Sequence, residues 1–246
     1  MLLNEISLKR LKTHLEYHDT LNPALWDKDM KLHSDVKEAL EKVANSFLTV
    51  LKVSKEEVME IFVTGSNANY NWSRMSDIDL HVIVDYDKVC KDCESNNFNL
   101  DDCMKAKKTV WNMGHDVTIK GSAVEVYVQP PTEFFSGNAG CFSLIQDDWI
   151  RKPTKEEKLV YDTKEIKIKA KSLMDEIDDI IKGSNTNEII IKALQDKIKN
   201  MRKASISRGG EMSLENLVFK TLRNNGYMDK LYDLGNKLKD KDLSLK

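Results

Sequence analysis

Two aspartates one residue apart, Asp77-Ile78-Asp79, are the pair whose type and spacing could do chemistry. In an extended strand alternate side chains share a face, so both carboxylates project to one side. His81 and Ile83 follow them on that side, while Ile78, Leu80, Val82 and Val84 point the other way into a core. Two neighbouring anions repel each other unless a cation lies between them. Oxygen-only ligands suit a hard ion such as magnesium. Upstream, the apolar run Ile61-Phe62-Val63-Thr64 ends at Gly65-Ser66. A Gly-Ser turn directly after a strand leaves backbone N–H groups to meet a phosphate. The set points to a phosphate site.

Gly65-Ser66 followed by Asp77-x-Asp79 in a strand resembles the signature of the polymerase beta-like nucleotidyltransferase superfamily. The longer run TGSNANYNWSRMSDIDLHVIVD is similar to nucleotidyltransferase-like proteins carried by tailed bacteriophages. The resemblance implies transfer of a nucleoside monophosphate from a nucleoside triphosphate such as ATP to a hydroxyl acceptor, with two magnesium (or manganese) ions. It also implies a third carboxylate, Asp or Glu, on a neighbouring strand. Glu125 is the candidate, on the polar face of an alternating run in which Val124, Val126 and Val128 share the other face. Asp116 competes, but it sits at a strand start beside His115 and lacks alternating apolar flanks.

By the same resemblance, one ion on Asp77, Asp79 and Glu125 would activate the acceptor hydroxyl. The other, on Asp77, Asp79 and the triphosphate, would stabilise the leaving pyrophosphate. Gly65 and Ser66 would orient the terminal phosphates, with Asn67, Arg74 and Ser76 as further nucleotide contacts. Lys220 and Arg223 are three apart on one predicted helix and share a face, as a phosphate clamp would require. The acceptor could be nucleic acid, protein or another nucleotide. The rival readings are a nucleotide-binding protein without turnover and a synthase that joins nucleotides into a signalling oligonucleotide.

The elements that must position these residues follow from periodicity. Val36, Leu40, Val43, Phe47 and Leu51 fall on one stripe of a helix with Ser34 as N-cap. Ser54-Lys-Glu-Glu57 reads as a capping box opening a single turn before the Ile61–Thr64 strand. Ser95-Asn96-Asn97 marks a loop, and Met104–Met113 a helix with Ala106, Val110, Trp111 and Met113 as its apolar positions. Val117–Gln129 alternates around a bend at Gly121-Ser122, and Cys141–Ile145 is a further short strand. Pro23 breaks the N-terminal segment, where Trp26 is an anchor. Gly137 falls in an irregular stretch, and Trp149-Ile150 with Pro153 reads as a hinge. Four helices are expected beyond it: Ile166–Ile181 stopped by Gly183, one begun near Thr186, one around Leu214–Leu222, and Tyr227–Lys239, with the last residues frayed. The fold class expected is therefore α/β (α+β). A nucleotidyltransferase core with a small mixed sheet flanked by helices would occupy residues 1–150, and a C-terminal helical lobe residues 151–246.

Residues 1–150 hold 16 Lys and Arg against 24 Asp and Glu, and residues 151–246 hold 22 against 16. An acidic core beside a basic tail would suit a polyanionic acceptor. No apolar run approaches the span of a membrane helix, and the start is too charged for a secretory signal. The expected location is cytoplasmic, the host cytoplasm for a phage-encoded chain. Cys90-x-x-Cys93, Cys103 and His115 lack the second paired spacing of a zinc set, so free thiols are expected.

Overall fold

Alternation at period two builds the sheet, and one apolar stripe at helical spacing covers its back. The computed structural model describes residues 18–74, 76–89, 99–133, 140–155, 163–183, 187–210 and 212–244. The expected Ser95–Asn97 loop, Gly137, Thr186, Cys90 and Cys93 lie outside these residues. The described residues divide into two compact units, one within residues 18–155 and the other within residues 163–244.

The first unit carries α1 (Ser34–Leu51), β1 (Val58–Thr64), β2 (Ile78–Val84), α2 (Tyr86–Val89), α3 (Leu100–Gly114), β3 (Thr118–Ile119), β4 (Ser122–Gln129), β5 (Cys141–Ser143) and β6 (Asp148–Arg151). The strands form one sheet in the order β3-β4-β2-β1-β5-β6. It is mixed: β2 and β4 run parallel, and the other neighbours are antiparallel. The parallel pair needs a crossover, which α3 supplies. Val63, Leu80, Val82, Val124, Val126 and Val128 are buried in the same core as Leu40, Phe47, Met104 and Trp111. The helices therefore cover the aliphatic face and leave the face of Asp79 and Glu125 to other uses.

Several sequence expectations are corrected here. Ser34 is the first helical residue rather than the cap; His33 holds the cap position without a side-chain bond. Val110 and Met113 are exposed, and Met104 takes the inward place beside Trp111. Trp149 and Ile150 are not a hinge but part of β6, paired with β5. That strand forms because Trp149 stacks on Trp26 at 4.8 Å and donates Nε1–H to the Met30 carbonyl at 2.7 Å. The capping box stands, with the Ser54 N–H donated to Glu57 Oε2 at 2.7 Å. The bend before β4 is a tight turn with positive φ at Lys120 (50°) and Gly121 (84°).

The second unit carries α4 (Thr163–Lys182), α5 (Glu188–Gly209), α6 (Leu214–Asn224) and α7 (Tyr227–Leu243). Its core gathers Ile166, Met174, Ile177, Ile198, Val218 and Leu222. Glycine at Gly210 (φ 69°) closes α5, because the left-handed backbone there penalises a Cβ. The last helix continues past Lys239, where fraying was expected. Among the described residues no helix is long and apolar enough to cross a membrane. Cys103 and Cys141 are free thiols.

Glu215, in the first turn of α6, accepts bonds from Lys169 Nζ at 2.7 Å and the Ser205 hydroxyl at 2.8 Å. These hold its carboxyl down at about 2 from 4.5. A depressed folded pKa contributes stability above pH 4.5 that is lost as pH falls towards 2. The pair is partly exposed, so about 1 kcal/mol survives solvent screening. Urea titrations across that pH window should show the wild type losing about 1 kcal/mol more than Glu215→Gln.

Candidate active site

Glycine at position 65 sets the geometry. Its backbone sits at φ 79°, ψ −162°, a region essentially reserved to glycine. A Cβ built there would lie 1.8 Å from Asp79 Oδ2. The Asp79 carboxylate therefore lies over the bare α-carbon that ends β1. Register does the rest: Thr64 pairs with Asp79, and Asp79 pairs with Glu125 on the parallel strand β4. Asp77 stands just before β2, half-buried like Asp79, while Glu125 is exposed. Asp116 is exposed beside the edge strand β3, which is separated from β2 by β4.

Asn67 fixes where Asp77 enters. Its side chain is fully buried and its amide donates to the carbonyls of Ser76 at 2.9 Å and Asp77 at 3.1 Å. Its Oδ1 accepts from Asn22 Nδ2 at 2.9 Å, and its own carbonyl accepts from Trp26 Nε1 at 2.7 Å. Both ends of the Asn67 side chain are thus bound to protein. Ser76 is tied down in the same way. It is 5% exposed, and its hydroxyl oxygen accepts from the Ser73 N–H at 2.9 Å and the Ser66 hydroxyl at 2.8 Å. Ser66 opens the short 3-10 turn Ser66–Ala68 and is half-buried. Arg74 is exposed on the same loop. Lys220 and Arg223 lie on α6, half-buried and exposed.

Sequence reasoning missed Asn22 as a site-building residue. The signal was present in the spacing Asn22-Pro23-x-x-Trp26, whose two polar ends both grip Asn67. It missed Tyr127 as well, whose hydroxyl donates to Glu125 Oε2 at 2.5 Å. Burial first, then the charges of Asp79, Glu125 and Asp77, push this phenol well above its ordinary range. All three carboxylates therefore act on one hydroxyl. His81, which shares their face, is held neutral by burial and bonds through Nδ1 to Gln129 Oε1 at 2.8 Å.

Among the described residues no three acidic, His or Cys side chains form a ready ion-holding group. The residues still fit a divalent cation. The donors are all oxygen, Asp79 and Glu125 are in register, and the missing Cβ at Gly65 makes room for the Asp79 carboxylate.

Fold and site define a mixed α/β sheet protein with aligned carboxylates at a glycine turn. No family model matches the chain, and no curated protein matches it. Among solved structures, a STING-associated CdnE c-di-GMP synthase from Capnocytophaga granulosa matches at 10% identity, over 86% of this chain and 84% of that one, with a TM-score of 0.20. At that score the superposition carries no argument.

Two outcomes test this geometry. Asn67→Ala leaves the buried Asn22 amide and Ser76 and Asp77 carbonyls short of a partner, and should cost about 3 kcal/mol in chemical denaturation. Gly65→Ala should lower the melting temperature, since the new Cβ and the Asp79 carboxylate claim the same space.

Proposed function

We propose that this chain is a nucleotidyltransferase that moves a nucleoside monophosphate from a nucleoside triphosphate to a hydroxyl acceptor. The observation that carries the reading is the register Thr64–Asp79–Glu125, with the Asp79 carboxylate seated over Gly65. The sequence resemblance of the Gly65–Asp79 stretch supports it. In this reading Asp77, Asp79 and Glu125 would hold divalent cations, whose bound charge helps an acceptor hydroxyl lose its proton and offsets charge on the departing pyrophosphate. Gly65, without a side chain, leaves room for the Asp79 carboxylate, and the backbone N–H groups of the turn would meet the terminal phosphates. The Ser66 hydroxyl would exchange Ser76 for a terminal phosphate oxygen. Arg74, exposed on the loop, would add a cationic contact to the triphosphate. Asn67 and Ser76 act behind these groups by holding the loop to β2. For a phage-encoded chain, the reaction would run in the host cytoplasm.

One observation favours a second reading, nucleotide binding without turnover: among the described residues no three acidic, His or Cys side chains are grouped as an ion site. The two readings separate on incubation with each labelled triphosphate, magnesium and host extract. The transferase reading expects magnesium-dependent pyrophosphate release that Asp77→Ala lowers at least about 100-fold. Mass spectrometry of the labelled species tells transfer onto nucleic acid or protein from the joining of nucleotides to one another. Calorimetric nucleotide binding with no release in any mixture moves the assignment to the second reading.

A further inference from the structure

Two rows of side chains cross the face of the sheet opposite α1 and α3 in register. One is Thr64, Asp79 and Glu125; the next is Phe62, His81 and Tyr127. The second row is a stack of rings. Phe62 and His81 lie 4.9 Å apart at 15°, and His81 and Tyr127 lie 4.5 Å apart at 14°. Gln129 holds the imidazole through Nδ1, and Lys108 Nζ stands 4.9 Å from the Tyr127 ring centre. The Tyr127 ring is thereby set in place from the His81 side and beside Lys108. Its hydroxyl reaches back to the carboxylate row and donates to Glu125 Oε2.

We propose that Tyr127 is a positioning residue for Glu125, holding one carboxylate oxygen and leaving Oε1 for the divalent cation that Asp77 and Asp79 would share. The proposal rests on the reading of these three carboxylates as a cation site. A glutamate has three rotatable bonds and, exposed on a strand, many rotamers to lose when it binds an ion. One bond from a fixed donor removes much of that freedom before binding. A carboxylate has lone pairs enough on two oxygens to accept the phenol and ligate an ion together. The phenol hydroxyl is a donor and the Glu125 carboxylate an acceptor, so the bond has one direction. Partners of this kind, behind a metal ligand, orient it and tune its affinity.

The test is calorimetric titration of the full chain with manganese chloride, without nucleotide, on wild type, Tyr127→Phe, Glu125→Gln, the double variant and Asp77→Ala. Tyr127→Phe keeps the ring stack, so circular dichroism should show an almost unchanged melting temperature. Its manganese affinity should fall about 10–100-fold. In the Glu125→Gln background the same change should have little further effect. Equal or tighter binding by Tyr127→Phe overturns the proposal, as does an undiminished effect in the Glu125→Gln background. In those cases, binding that Asp77→Ala abolishes shows that the carboxylate site itself stands. A wild type that binds no manganese overturns the cation reading and the proposal together.

Discussion

The buried amide of Asn67 is the joint on which the candidate site depends. One side chain ties three stretches of chain that are remote in sequence: Asn22 before α1, the Gly65–Ala68 turn after β1, and the Ser76–Asp77 backbone entering β2. Trp26 closes the same joint through the Asn67 carbonyl, and anchors it to the sheet by stacking on Trp149. An amide at 0% exposure is tolerable only when its donors and acceptor are paired, since each lost partner costs about 1–3 kcal/mol. That penalty makes the loop's path specific. A loop held only by apolar contacts would let Asp77 drift relative to Gly65.

Two faces of one sheet carry different duties. Leu80, Val82, Val126 and Val128 anchor the strands to α1 and α3 through a core that is indifferent to what lies opposite. The other face can therefore hold polar groups beside the small buried cluster of Phe62, Ile83 and Cys141. Asp79 over Gly65, Glu125 on Tyr127, and the neutral His81 between two rings are all arrangements that an apolar back face permits. The register of the hydrogen-bonded strands sets Asp79 and Glu125 opposite each other on this face.

What was legible in the sequence is what local periodicity encodes. The α1 stripe, the alternation of β4 and the four helices after residue 160 follow from which side chains must share a face. The pairing of Asp77 with Asp79, and the need for glycine at position 65, are local too. What escaped was decided by contacts between distant segments. Trp149 and Ile150 carry no strand pattern of their own; β6 exists because β5 and Trp26 receive it. Met104 turns inward and Val110 outward because α3 packs on its sheet at one angle, which its weak stripe does not settle. Asn67 and Ser76 read as members of a polar loop, and only the tertiary structure shows how deeply they are buried.

The sequence by itself determined the chemistry on offer. It has carboxylates on one strand face, a glycine turn beside them, and a later strand whose polar positions are Glu125, Tyr127 and Gln129. The tertiary structure alone decided which of these meet. Parallel pairing of β2 with β4 set Glu125, not Asp116, opposite Asp79, and set Tyr127 in the row behind it. A strand's period of two says which residues share a face, but any even shift of register keeps that face unchanged. Choosing among those registers takes the packing of α3, the clasp on Asn67 and the space left over Gly65, which are properties of the folded chain.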